Sequence, residues 1–301
     1  MIIKLLIIFY FLSNAFSNED PYILVLGIAQ DGGYPHAGCV KKCCEMLWEI
    51  GDKEKVTSLG IIDPKLNRSW IIDATPDFAK QYHILTKVHN TQLQGIFLTH
   101  AHMGHYIGLL QLGREVMGAK DINVFCMPKM KYFLENNAPW QQLIDLNNIS
   151  IKLLKSAKKH KLSHHLFIEP FLVPHRDEFS ETVGYRVMGP KNSAIFIPDI
   201  DKWSKWDQDI KKVILNSNIS FIDGTFYSND EIPHRDISEI PHPFIIETME
   251  QLSSLNSINK NKVHFIHLNH SNPALREHTS ATKLIKAKHF NIAKEGQTFD
   301  L

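Results

Sequence analysis

The stretch QGIFLTHAHMGHYIGLLQLG, residues 94–113, opens with a short apolar run, Ile96 to Leu98, of the kind that forms a buried strand. Thr99 ends the run, and three histidines follow within six residues: His100, His102 and His105. Beyond them Tyr106, Ile107, Leu109, Leu110 and Leu112 recur at spacings that suit the apolar side of a helix. The histidines therefore lie on the turn from a buried strand into a helix. Alternation aims His100 and His102 the same way from an extended segment, and His105 can return from the first helical turn. Neutral imidazole is the commonest protein ligand for zinc and related ions. A histidine-rich surface loop is the plain alternative, and the rest of the chain decides between the two.

Upstream, YILVLGI (22–28) reads as a strand and Gln30-Asp31-Gly32-Gly33 as a tight loop. A short helix is predicted over 41–48, and 58–62 with 69–73 form a hairpin around 64–67. Thr75 caps a helix with Pro76 at its first position, and Phe78, Tyr82 and Ile84 point inward from it. Downstream, 123–127 reads as a strand and 128–136 as a helix. Segments 149–154, 166–173 and 182–188 are assigned to a second sheet, joined by 194–197. A helix within 241–255, a strand at 263–268 and a helix over 276–289 complete the chain. Alternating strands and helices specify a layered α/β protein, and no linker divides residues 18–301, so one domain is expected.

Composition sets outer bounds. At 301 residues with 44% hydrophobic content, the chain can bury a large core. Lys+Arg 33 against Asp+Glu 32 leaves a charge of +1, without the electrostatic footprint of a nucleic-acid binder. Residues 1–17 carry Lys4, an apolar run from Leu5 to Leu12 and the small-x-small sequence Ala15-Phe16-Ser17. That order predicts a cleaved signal peptide, a periplasmic or secreted mature protein and no membrane association after cleavage. Three of the four cysteines, Cys39, Cys43 and Cys44, lie near His36. Two readings stand side by side: a disulfide from Cys39 to one of the other two, or a small structural zinc site using His36 and the thiolates.

Further residues share the placement of the first three histidines. His175 ends FIEPFLVPH, Asp199 ends SAIFIPD, Asp73 ends SWIID, and His270 follows VHFIHLN. Sites form beyond strand ends because a rigid core holds the loops there. Seven ligand-type residues at the ends of five strands are too many for caps and turns, and two ions of about three ligands each would use them.

These residues carry a resemblance to the metallo-β-lactamase-fold superfamily. THAHMGH is similar to its H-x-H-x-D-H motif, and His175, Asp199 and His270 match its later histidine, bridging aspartate and last histidine. LGIAQDGGYPHAGC, VPHRDEFSETVGY, FIDGTF and FIHLNHSNP resemble the pyrroloquinoline-quinone biosynthesis protein B-like members. The resemblance implies a four-layer αββα sandwich, two packed mixed β-sheets flanked by helices. It also implies one ion on His100, His102 and His175, and a second on His105, Asp199 and His270, with Asp199 bridging. Asp199 and His105 take catalytic roles in this scheme. Asp73, Asp223 and His267 are assigned to outer support, with Thr225 beside Asp223. His242, between two prolines, reads as a turn histidine.

One departure matters: Gly104 stands where the motif has its aspartate. Asp201, Asp177 and Glu178 are the carboxylates near enough in sequence to substitute. The leading expectation is an exported metal-dependent hydrolase whose metal-activated water attacks an ester, phosphodiester, lactone or β-lactam-type bond in a small-molecule substrate. Zn2+, one or two ions, is the expected cofactor, while iron or manganese suits the same donors. The alternatives are an iron-dependent oxidoreductase, as the quinone-biosynthesis resemblance implies, and a non-catalytic member weakened at the second site.

Overall fold

The computed structural model describes residues 20–51, 53–231 and 240–301, so the leader expected over 1–17 lies outside the described residues. Its first sheet contains β1 (Tyr22–Gly27), β2 (Ser58–Asp63), β3 (Arg68–Ile72), β4 (Gln92–Phe97), β5 (Ile122–Cys126) and β6 (Ile149–Leu153). The second contains β7 (His160–Lys161), β8 (Phe167–Leu172), β9 (Val183–Met188), β10 (Ser193–Ile197), β11 (Ile219–Asp223), β12 (Val263–Ile266) and β13 (Asn291–Ile292). The last strand, β14 (Thr298–Asp300), crosses back to pair with β1.

The spatial orders are β14-β1-β2-β3-β4-β5-β6 and β7-β8-β9-β10-β11-β12-β13. Each sheet begins with three antiparallel pairings and ends with three parallel ones. β1, β3, β4 and β5 therefore run one way in the first sheet, and β8, β10, β11 and β12 run one way in the second. Loops leaving the C-terminal ends of each set gather at one edge.

The sequence of β1 shows why these strands are buried on both faces. Ile23 and Val25 enter the core between the sheets, while Leu24 and Leu26 enter a second core beneath the helices outside the first sheet. A strand covered on both sides needs apolar residues at consecutive positions, which YILVLG supplies. β4 repeats the device, with Phe97 facing inward and Ile96 outward. Phe97 stacks on Phe125 at 4.4 Å and meets Tyr185 of the other sheet edge-on at 5.8 Å.

Four helices are named here: α1 (Lys42–Ile50), α2 (Phe78–His83), α3 (Met103–Tyr106) and α4 (Pro128–Asn136). Two expectations are corrected. The segment at 149–153 pairs in parallel with β5 and so belongs to the first sheet, not the second. The helix after Thr75 is assigned from Phe78 and not from Pro76, although the Thr75 hydroxyl accepts from Asp77 N at 3.0 Å as a capping residue does. Among the described residues no helix is long and apolar enough to cross a membrane.

Candidate metal centre

His100, His102 and His105 leave the end of β4 as the sequence predicts. Their rings meet side chains from the other sheet. His100 Nε2 lies 2.9 Å from His102 Nδ1 and 3.3 Å from Asp199 Oδ2, and His175 Nε2 lies 3.2 Å from Asp199 Oδ1. These four residues place one ligand-type atom each within 4.8 Å of one another. Ions bound at 2.0–2.1 Å separate tetrahedral ligand atoms by about 3.3 Å, so the spacing is that of a shared centre.

A second trio lies beside the first. His105 Nε2, His267 Nε2 and Asp31 Oδ1 converge, with His105 to Asp31 at 3.2 Å and His267 to Asp31 at 3.7 Å. Asp199 Oδ2 stands 4.0 Å from both of these histidine nitrogens, between the two trios. His270 is absent from this group, which corrects the sequence assignment. Residue 267 immediately follows β12 with φ +63°, and that left-handed turn aims His267 into the site.

The wiring behind each ring fixes which nitrogen faces inward. Asp73 accepts from His105 Nδ1 at 2.7 Å, and Thr99 Oγ1 accepts from His100 Nδ1 at 2.9 Å while donating to Asp73. On the other sheet, Thr225 Oγ1 accepts from His267 Nδ1 at 3.0 Å and donates to Asp223 at 2.7 Å. His175 Nδ1 faces Asp201 at 3.3 Å, and His102 Nε2 faces Glu178 at 3.5 Å. His100, His102, His105 and His267 are hydrogen-bonded from outside, His175 faces Asp201 there, and each ring turns its other nitrogen to the centre, as rings with second-layer partners at metal sites do. Asp73 and Asp223 thus stand in the supporting places expected of them, whereas His267 stands in the inner trio.

Asp31 Oδ1, His105 Nε2, His175 Nε2, Asp199 Oδ1 and His267 Nε2 are buried and make no hydrogen bond. Leaving one such group unpaired costs about 1–3 kcal/mol. A cluster of them sharing two points in space fits cations. The charges agree. Burial would raise the Asp199 carboxyl, but His175, His242 and His267 hold it well below the usual range. Burial likewise opposes ionisation of Asp31, and His105 and His267 outweigh it. Burial alone would keep His105 neutral; Asp73 and Asp31 reverse that and raise it well above its ordinary value.

His242 is not the exposed turn residue its prolines suggested. It is buried, 2.8 Å from Asp223 Oδ2 and 3.2 Å from Asp199 Oδ1. Burial opposes its charge, yet those carboxylates raise it to about 9. Asp31 was missed because Asp-Gly-Gly reads as turn chemistry. Its only signal was the one used elsewhere, a carboxylate just after a buried strand.

The cysteines form a separate cluster. Cys39, Cys43 and Cys44 carry free thiols, so the disulfide reading fails. The fourth member is His270 and not His36: its Nδ1 lies 3.4 Å from Cys44 Sγ and 3.7 Å from Cys43 Sγ. Cys39 to Cys43 is 3.7 Å and Cys43 to Cys44 is 3.9 Å. Zinc–ligand lengths of 2.3 Å to sulfur and 2.0–2.1 Å to nitrogen imply edges of about 3.8 and 3.6 Å. His36 instead offers its backbone N–H to Cys44 Sγ and packs its ring on His270 at 4.4 Å. Burial, then His36 and Lys41, lower His270 to about 4, keeping a lone pair free at neutral pH.

Residues 68–268 match the beta-lactamase superfamily domain, two thirds of the chain. The chain belongs to the beta-lactamase superfamily. Its two packed mixed sheets with flanking helices are the metallo-β-lactamase fold. Among superfamily relatives, the Coenzyme PQQ synthesis protein B of Methylorubrum extorquens (strain PA1) is 22% identical, over 93% of this chain and 100% of that protein. The crystal structure of Zn2+-bound PqqB from Methylobacterium extorquens superposes with a TM-score of 0.78 at 18% identity, covering 93% of this chain and 100% of that one. A diphosphatase from the PhnP family gives a TM-score of 0.62 at 18% identity, covering 93% and 97%.

Proposed function

We propose that the protein is a metal-dependent hydrolase acting on a small-molecule ester, phosphodiester, lactone or β-lactam-type bond. The observation that carries this reading is the convergence of two trios on the Asp199 carboxylate, with Asp31 Oδ1, His105 Nε2, His175 Nε2 and His267 Nε2 buried and without a hydrogen bond. His100, His102 and His175 would hold one zinc ion; His105, His267 and Asp31 would hold the other, with Asp199 between. Such ions lower the pKa of a bound water toward neutrality and polarise the bond under attack. The chain's own contribution is orientation. Asp73 and Asp223, directly or through Thr99 and Thr225, fix the tautomers of His100, His105 and His267. Asp199 turns Oδ1 toward His175 and His242 and Oδ2 toward His100, His105 and His267. The Cys39, Cys43, Cys44 and His270 cluster would hold a third, structural zinc.

The relatives' name, Coenzyme PQQ synthesis protein B, favours a role in cofactor synthesis, and the second reading is an oxidation with iron in the same trios, since histidine and carboxylate donors suit that ion too. The test is metal analysis of the purified protein followed by assay of zinc- and iron-loaded forms. The hydrolase reading expects zinc-dependent turnover of a chromogenic phosphodiester, ester, lactone or β-lactam, abolished in Asp199→Asn. Oxygen consumption by the iron form with no hydrolysis by the zinc form would replace it with the second reading.

A further inference from the structure

We propose that Asp31, from the loop after β1, supplies the carboxylate of the second ion site and occupies the space that a side chain at residue 104 would take. This rests on the two-ion reading above. A Cβ built on Gly104 would lie 2.1 Å from Asp31 Oδ1 and 2.7 Å from Asp31 Cα, a clash with both side chain and backbone. With the loop after β1 in this position, no side chain at 104 fits, and the carboxylate available to the second site is that of Asp31. Gly104 has no left-handed φ, so glycine is required there by space and not by backbone conformation.

Asp31 is aimed where the motif carboxylate is needed. Its Oδ1 is buried without a hydrogen bond and faces two equally unpartnered nitrogens, His105 Nε2 and His267 Nε2. The carboxylates nearest in sequence are engaged elsewhere: Asp201 faces His175 Nδ1, Glu178 faces His102 Nε2, and Asp177 accepts from Thr182. The loop bearing Asp31 is also registered against the loop bearing His267. Gln30 N donates to Leu268 O and Leu268 N to Ile28 O, at 2.9 and 2.8 Å, while the Asn269 side chain donates to that of Gln30. Two ligands of one ion are thus held by a single pair of strapped segments.

The test is zinc stoichiometry and affinity of the full chain, with folding followed by circular dichroism. Wild type should bind two zinc ions in the histidine–aspartate sites besides the one on the cysteines. Asp31→Asn should remain folded and lose affinity for one of those two by at least about tenfold. Gly104→Asp alone should be defective through the clash. Asp31→Ser, which keeps the backbone and removes the carboxylate, should lose affinity for the same ion. An Asp31→Asn protein that binds both ions as tightly as wild type overturns the assignment of Asp31 and leaves the two-ion reading standing. If Asp31→Asn unfolds, Asp31→Ser decides: folded and binding both ions as tightly as wild type, it also overturns the assignment. Wild type that binds no second ion overturns both.

Discussion

His267 and His270 are three residues apart and face different clusters, one beside Asp31 and the other among the thiols. Their replacements should therefore have separable effects. At saturating zinc, His270→Ala should lose the cysteine-bound ion and keep the other two, while His267→Ala should lose one of the pair near Asp199 and keep the ion on the thiols. Metal content by mass spectrometry checks this, and equal losses from both variants would refute the partition. Strand-end position made His100, His102, His105, His175 and Asp199 legible in the sequence, together with Asp73 and Asp223. It did not separate His267 from His270, because the choice depends on a positive φ at residue 267 that local pattern does not reveal. Asp73, with φ +70°, is a second non-glycine residue held left-handed in the site. Such conformations cost about 1–3 kcal/mol and persist where surrounding contacts over-determine them.

At the scale of elements, doubly covered strands were plain from runs such as YILVLG, whereas the sheet membership of β6 was not. Pairing partners are fixed by distant segments, and ISIKL carries no mark of its neighbour. β12 shows a further effect of packing. Its His264 lies against Phe221 of β11 and Phe299 of β14, at 5.6 and 4.8 Å between ring centroids. Burial lowers its pKa to about 4. Unfolded histidine titrates near 6.5, so between these values the unfolded chain binds the proton and the fold does not. The contribution is complete above pH 6.5 and is lost as pH falls toward 4, the loss reaching about 2 kcal/mol by pH 5. His264→Phe should reduce the loss of stability between pH 7.5 and pH 5 by roughly that amount, measured by urea unfolding with chelator present. An unchanged pH dependence would show that His264 is not the titrating group.

Across the whole molecule the two sheets repeat one pattern, and the repeat organises the site. The second strand of each order ends near Asp31 and His175, and the fourth near Asp73 and Asp199; the fifth leads to His105 in one sheet and to Asp223 and Thr225 in the other. The cysteine cluster sits outside this repeat and joins α1 to the loop after β12. An ion present at 100 to 1,000 times its dissociation constant stabilises a fold by about 2.7–4.1 kcal/mol. Cys44→Ser should therefore lower Tm by roughly 5–15 °C in zinc-containing buffer, and an unchanged Tm would remove the structural role. The four residues from His267 to His270 carry one donor for each metal cluster, and the segment from Asp31 to Cys44 carries one for the second ion site and three for the thiol cluster. Two short levers with a load at either end make the loads interdependent. Were both clusters filled, an ion on the thiols would fix the levers and spare the second ion part of its ordering cost, and linkage would then make each metal raise the other's affinity by the same factor. A coupling of 1–3 kcal/mol would be typical, and zinc released from the cysteines would then be felt at the reaction centre as a loosened grip on its partner.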